Sequence, residues 1–565
     1  MVYGVFRQPD WADDFARVSW AVAGVRVRIE ILITSGAALL CAVSLAGQEQ
    51  VSLTVDATMD IYRAGGYNDG SDGIAPVVFS FPARALSKIT FPAVGGAWTC
   101  QTGEPEFSAD GETSGYCVTS GGFSNIYSVG PFAGYYLTDF VDGMAGIFLE
   151  DSLPTSAAPG LRFYVSNSAD GGTQTDFLTL SPKIGQVFFI GDGLTGTGTG
   201  QVQTFNVPPT ATHLYLGFVD NCRAPSEHVP GCYSDNVGSM NVTARLQHYV
   251  PDWVEPALTT APSARCCSSM VYDASASYTL LFGGGDSLTG ATHNDTWIWR
   301  NGWTQVTPAS APSSRSSAGA AYDTSMGTVV LFGGSDSSGH SLGDTWIWDG
   351  VTWSQQFPPV SPPARDCSTA GMAYDPVSGP VLFGGYSAST SGYGGVPLGD
   401  TWVWDGFTKT WEESFPASSP SPRRAPLAFD PISGNVVLFG GDNGGGDCCN
   451  IYYNDTWTWD GITWTQQFPA VSPPARTEHM MAYDAGLGEI VMYGGYNIPG
   501  QGLDDTWAWN GKSWRQLTLP GSPSGRWGSS MDFDPLSDGL VLFGGEVTGD
   551  PYTNNTWLLI PVPVP

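Results

Sequence analysis

A carboxylate and an imidazole stand side by side at Glu478-His479, just beyond Arg476. Such a set can move a proton and hold an anion, which is the material of general acid–base chemistry. Arg476 is one of six arginines, with Arg265, Arg315, Arg365, Arg424 and Arg526, that open successive similar segments. A ring of guanidinium groups can take a carboxylate through paired hydrogen bonds. The competing role is architectural, each arginine pairing with a nearby aspartate (Asp273, Asp323, Asp375 and their equivalents), and recurrence in every segment favours it. Metal chemistry has less to work with. His293, His340 and His479 fall at scattered positions in the segments, and no Cys-x-x-Cys or Cys/His spacing of a zinc site occurs. Neither a Ser/His/Asp set nor paired glycosidase carboxylates can be picked out.

The elements that position these residues are repeats of about 50 residues, the period of propeller blades. Each unit reads arginine, small residues, Tyr/Phe-Asp, an apolar run closing in Gly-Gly, a loop, Asp-Thr-Trp-x-Trp, then Trp-x-Gln. The doublets are Gly283-Gly284, Gly333-Gly334, Gly384-Gly385, Gly440-Gly441, Gly494-Gly495 and Gly544-Gly545. These registered copies resemble the kelch repeat, and the resemblance implies a six-bladed β-propeller. Small side chains in the first strand suit the narrow centre of a ring. A continuously apolar second strand such as Val329-Val-Leu-Phe332 suits burial between blades. Alternation in Trp-x-Trp puts both indoles on one face, expected to pack on the next blade. Trp303, Trp353, Trp464 and Trp514 each lie twelve residues before the next arginine, and Trp411 lies twelve before Arg423. Trp253 lies twelve before Arg265 with no preceding blade, while the last unit stops at Thr556-Trp557-Leu-Leu-Ile560. A strand near Trp253 is therefore expected to complete the sixth blade and remove the open edges. The most variable segments, Ser387–Leu398 and Asp442–Tyr453 with Cys448-Cys449, are where binding loops are expected.

Residues 47–247 lack the repeat. Short apolar strands at Val51–Val55, Lys88–Phe91, Gly146–Leu149, Gln186–Ile190, Gln201–Val207, His213–Phe218 and Ser239–Ala244 alternate with Gly/Asn/Asp/Ser turns, a β-sandwich pattern. Gly200-Gln-Val-Gln-Thr-Phe-Asn-Val-Pro-Pro, Leu214-Tyr-Leu-Gly-Phe-Val-Asp220 and Val229-Pro-Gly-Cys-Tyr-Ser-Asp235-Asn236-Val-Gly-Ser-Met resemble the PA-IL family of bacterial galactophilic lectins. The resemblance implies a calcium ion that bridges protein and sugar. Its ligands here would be the Asp220 carboxylate, the Cys232 carbonyl, and the Asp235 and Asn236 side chains. Calcium takes hard oxygens of these kinds and accepts vicinal sugar hydroxyls as well. An insertion, Asn221 to His228, separates Asp220 from the Pro-Gly loop, and a Cys222–Cys232 bridge would close it. The plainer role of Asp235-Asn236 is an Asx turn.

The chain has 565 residues with 22 basic and 53 acidic side chains, a net charge of −31. That charge disfavours nucleic acid and anionic lipid as partners. With 73 glycines and 41 prolines it cannot be a helical bundle or coiled coil, and 42% hydrophobic residues exclude a disordered acidic chain. Arg26 and Arg28 precede a small and apolar run from Ile31 to Ala46, a pattern of secretory signals cleaved after Ala46. Export makes disulfides the expected state of the remaining cysteines, with Cys100–Cys117 and Cys222–Cys232 as short-loop candidates. The organisation expected is a leader at 1–46, a sandwich at 47–247, a propeller at 248–560 and a tail at 561–565, secreted or periplasmic, without a membrane span in the mature chain. The functional expectation is a calcium-dependent, lectin-like binder of glycans or glycoconjugates. Its propeller would be a second platform for glycan or protein. The alternative is a sugar-modifying enzyme of mutarotase or oxidase type, with Glu478 and His479 as its catalytic candidates.

Overall fold

The computed structural model describes residues 15–22, 25–32, 41–45, 48–66, 73–81, 87–99, 124–125, 135–138, 143–155, 161–164, 173–174, 179–190, 193–196, 199–208, 210–219, 237–286, 289–366, 371–387, 395–444, 450–498, 501–549 and 552–564. Among them the protein is all-β apart from a short 3-10 segment at Ile61–Gly66. It divides into two compact units, residues 1–250 with 562–565, and residues 251–561.

In the first unit two sheets face one another. One carries Gln48–Asp56, Val237–Val254, Ser87–Thr99 and Thr204–Val207 in that order, all antiparallel. The other has the order Val187–Phe189, Gly143–Leu149, His213–Val219 and Val77–Ser80. Alternation along Gln48–Asp56 turns Val51, Leu53 and Val55 inward, and the same period buries Leu214, Leu216 and Phe218 on the opposing sheet. Phe188 bridges the layers, with ring centroids 5.1 Å from both Phe148 and Phe205. This is the sandwich expected from the strand pattern. Within the region read as a leader, Phe15–Val22, Val25–Leu32 and Cys41–Leu45 form an antiparallel ladder that continues onto Gln48–Asp56.

The second unit is the propeller. Blade 1 runs Ser269–Asp273, Tyr278–Phe282, Thr296–Trp299 and Trp303–Val306 in sequential order, and blades 2 to 5 repeat it from Gly319, Met372, Leu427 and Met480. Blade 6 has Ser530–Asp534, Gly539–Phe543 and Thr556–Pro563, and its fourth strand is the end of Val237–Val254. The ring closes as the spacing of Trp253 requires. Each fourth-strand tryptophan donates its indole N–H to a threonine on the third strand of the preceding blade: Trp303 to Thr556, Trp353 to Thr296, Trp411 to Thr345, Trp464 to Thr401 and Trp514 to Thr456, at 2.8–3.1 Å. Trp253 to Thr506, at 3.1 Å, completes the circuit.

One packing direction differs from expectation. The third-strand indoles pack on the preceding blade, Trp297 and Trp299 lying with Val541 and Phe543 of blade 6. The fourth-strand tryptophan leans the same way, Trp353 onto Phe282 with ring centroids 5.2 Å apart. Alternation alone places the indoles on one face without saying which neighbour that face meets.

Two measurements test this fold. Trp253→Ala should lower the unfolding free energy by about 3–5 kcal/mol, matching Trp303→Ala; an unchanged urea midpoint for Trp253→Ala alone would place it outside the ring. Asp484, buried at the end of a first strand, has its carboxyl pushed up to about 7 by burial, against donation from the Leu487 N–H. Its raised value means the folded state binds the extra proton. The stability it contributes is therefore full below about pH 4 and is lost as pH rises through about 7. Asp484→Asn should flatten that decline.

Candidate functional site at one mouth of the propeller

The repeat arginines are structural, and their partners are not the expected ones. Arg265, Arg315, Arg365, Arg423 and Arg476 are buried and pair with the aspartate of Asp-Thr-Trp: Asp295, Asp344, Asp400, Asp455 and Asp505, at 2.5–2.7 Å. Each also donates to the carbonyl of the first Gly of its doublet, as Arg265 does to Gly283 at 2.9 Å. Each aspartate in turn accepts the neighbouring indole N–H, Asp295 from Trp297 at 2.7 Å. Blade 6 has Asn555 at the aspartate's position, and Arg526 is satisfied instead by Ser524 and the Gly544 carbonyl. Asp273, Asp323 and Asp375 do something else. They accept from the turn that follows the first strand, as Asp273 does from the Ser275 N–H at 3.0 Å. Blade 4 also corrects the register: Arg423 is its repeat arginine, so Arg424 is an extra cation.

Saturation of the arginines leaves the next two positions of each unit free to vary, and the backbone gathers them at one end of the ring. The residue after each arginine bridges to the one after Gly-Gly: Cys266 to Gly285, Ser316 to Ser335, Asp366 to Tyr386, Arg424 to Asp442 and Thr477 to Tyr496. Trp527 pairs with Glu546 in the same way. The second residue links blade to blade. The Ser317 N–H donates to the Cys267 carbonyl, Cys267 to Gly528, and Gly528 to Glu478. A Cβ on Gly441, at φ +92°, would stand 2.1 Å from the Arg424 carbonyl, so only glycine allows this approach.

The mouth is most polar on the side of blades 3 to 6. Arg424 donates to Asp442 at 3.0 Å and to Glu478 at 2.5 Å. Tyr386 and Thr477 also donate to Asp442, and the Arg424 guanidinium lies 5.1 Å from the Tyr386 ring centre. Tyr452, Tyr496 and Trp527 form an aromatic wall, with ring centroids 5.9 Å and then 5.6 Å apart. Beside it, Tyr552 donates to Glu546 at 2.9 Å. The two carboxylates on Arg424 are driven apart. Burial raises Glu478, helped by Asp442, Glu546 and Asp366, and outweighs Arg424. Asp442, although burial opposes it, is held below the ordinary range by Arg424, Thr477 and Tyr386. Arg424 stays protonated, because Glu478 and Asp442 overcome its own burial. Two carboxylates tuned in opposite directions are a general acid–base arrangement.

Glu478 thus reaches the mouth, but His479 does not. Its ring is fully buried, edge-on to Phe439 with centroids 5.6 Å apart. Burial, reinforced by Arg476, holds it neutral. Both residues precede the strand Met480–Asp484, and a bend at Glu478, with φ +52°, sends its carboxylate to Arg424 and the His479 ring to Phe439, so the pair cannot act together. His340 is exposed and pairs with Asp336 at 3.2 Å, while His293 sits half-buried in blade 1. Among the described residues no group of three or more His, Cys, Asp and Glu is arranged to hold a metal ion. Asp220, Cys232, Asp235 and Asn236 lie outside the described residues, as do Cys100, Cys117, Cys222, Cys367, Cys448 and Cys449. Cys266 and Cys267 carry free thiols, their sulfurs 2.9 Å apart.

Residues 268–470 match a family described as "KLHDC2/KLHL20/DRC7 Kelch-repeats domain". The C-terminal region is a kelch-repeat domain. Among solved structures, one titled "Structure of YjhT" is similar to 54% of this chain and 99% of its own, at 14% identity and a TM-score of 0.40. In kelch terms the missed site residues, Tyr386, Tyr496 and Glu546, follow the Gly-Gly doublet as Asp442 does, and Arg424, read as a repeat arginine, stands one place beyond Arg423. A charged or aromatic residue directly after the doublet, where blades 1 and 2 have Gly285 and Ser335, was the signal that could have found them.

The kelch clamp makes its own prediction. Arg315→Met should cost about 3–5 kcal/mol by stranding Asp344. Arg526→Met, which strands no carboxylate, should cost clearly less in the same urea titration; equal losses would show that the clamp energy does not reside in the ion pair.

Proposed function

We propose that this chain is a carbohydrate-binding protein whose kelch mouth holds a hydroxyl-rich ligand and whose N-terminal sandwich is a calcium-dependent, lectin-like module. The observation that carries the reading is the mouth itself. Glu478, anchored on Arg424 and partly exposed, supplies a hydrogen-bond acceptor, and Tyr496 and Trp527 beside it offer an apolar face, the two kinds of contact a sugar ring needs. The calcium ligands proposed are Asp220, the Cys232 carbonyl, Asp235 and Asn236, on the strength of the sequence motif. Two sites on one chain would favour multivalent glycoconjugates.

The opposed tuning of Asp442 and Glu478 favours a second reading, a sugar-modifying enzyme of mutarotase type in which Glu478 gives the proton and Arg424 orients an anionic substrate. The oxidase reading lacks support, because the histidines of the propeller are not brought together.

Glycan-array binding by the full chain, with calcium and with EDTA, tests the proposal through two variants. Asp235→Ala should remove the calcium-dependent signal and Glu478→Gln a separate, EDTA-resistant one. A folded chain that binds no glycan in either buffer overturns the binding reading, and accelerated sugar anomer exchange lost in Glu478→Gln would establish the enzyme. Export with cleavage after Ala46 is also proposed. N-terminal sequencing of the exported chain should then begin at Gly47, and recovery of residues 15–45 in it would overturn that.

A further inference from the structure

On the propeller axis the first strands enclose a cavity of about 290 Å³. Its walls are mostly apolar, and no Lys, Arg or His side chain lines it among the described residues. The residue before the strand-end aspartate of every first strand is an aromatic that lines it: Tyr272, Tyr322, Tyr374, Phe429, Tyr483 and Phe533. The residue before that aromatic is apolar in five blades, with Val271, Ala321, Ala373, Ala428 and Ala482. In blade 6 it is Asp532, the one carboxylate among the described lining residues.

Nothing in the kelch architecture requires an acid there, since five blades form the same strand without one. Asp532 is held in place by backbone donors, Oδ2 by the Tyr272 N–H at 2.7 Å and Oδ1 by the Phe533 N–H at 2.8 Å. Neither donor carries a formal charge. Burial without a neighbouring cation pushes its carboxyl up to about 6, so it is still largely ionised at neutral pH. A lone carboxylate among apolar walls is costly unless a countercharge arrives. One carboxylate offers too few oxygens for calcium or magnesium, which want six or more. Aromatic rings favour a different cation, one with a diffuse charge and an apolar skin.

We infer that the axial cavity is a binding site for a small organic ammonium ion, its charge held by Asp532 within the ring of six aromatic side chains. Methionines such as Met372 and Met481 line the same space and would meet the apolar part of the ligand with side chains that adapt to its shape. This site is independent of the sugar reading, because it uses the first strands and none of the groups on Arg424.

Isothermal titration calorimetry of the full chain tests it with tetramethylammonium, choline and trimethyl-lysine, and with 3,3-dimethylbutan-1-ol as the neutral counterpart of choline. Asp532→Ala installs the residue found in blades 2 to 5 and should leave the thermal midpoint unchanged or raised; Asp532→Asn keeps the shape and removes the charge. The expected result is saturable binding of at least one ammonium probe, weaker by about tenfold or more in both variants and for the neutral alcohol. No binding by any of the three probes would overturn the inference. So would equal binding of the neutral alcohol, or variants that bind as the unaltered chain does.

Discussion

Everything in the propeller hangs on the contact between one blade's fourth-strand tryptophan and the blade before it. That indole does two jobs at once. It packs edge-on against the last aromatic of the neighbour's second strand, and it gives its N–H to a buried threonine on the neighbour's third. The apolar area draws blades together without direction, whereas the N–H bond fixes their register, because a buried indole donor left alone is costly. Six such contacts in a circle leave no sheet face uncovered and no blade able to slide independently. Within each blade the arginine clamp plays the corresponding local part, tying the entry of the first strand to the Gly-Gly turn and to the aspartate before the third.

The division of labour between clamp and mouth explains why the chemistry sits where it does. A guanidinium whose donors are all engaged has none left for a ligand, so the recurring arginines are silent. The two residues after each are placed by backbone hydrogen bonds that recur whatever their side chains. Their side chains can change without loss of the fold, and in each of blades 3 to 6 one of the two is charged or aromatic: Asp366, Arg424, Glu478 and Trp527. Arg424 shows how close the two roles lie in sequence: Arg423 beside it is a clamp, and one step along the chain the same side chain becomes the centre of a polar cluster.

Periodicity made the architecture legible. Blade count, innermost strand, buried second strand and the closing role of Trp253 all follow from spacing, because a repeat states the same physical requirement six times. The site was less readable for the opposite reason. Tyr386, Asp442 and Glu478 lie far apart in sequence and meet only through ring geometry, so no local motif announces them. Glu478-His479 looked like a unit because the residues are adjacent, yet the bend at Glu478 sends one to the mouth and the other into the core against Phe439. The arginine partners were misassigned for a related cause. Asp273 is close in sequence to Arg265, but the turn uses its carboxylate, and the more distant Asp295 is the one that pairing of the second and third strands brings alongside. The readings of export, calcium and a lectin-like module come from local motifs, the run from Arg26 to Ala46 and the segments 200–209, 214–220 and 229–240.

The closing strand has a consequence for synthesis. Blade 6 is built from residues near Trp253 and from Thr556 onward, about 300 positions later, so during translation the first part to emerge must wait for the last. Until Thr556–Ile560 has left the ribosome, the nascent ring presents two unpaired blade edges. Five completed blades cannot shield them. Arrest or truncation just short of that strand would therefore yield a product with five finished blades and an open sixth, prone to associate with its own kind.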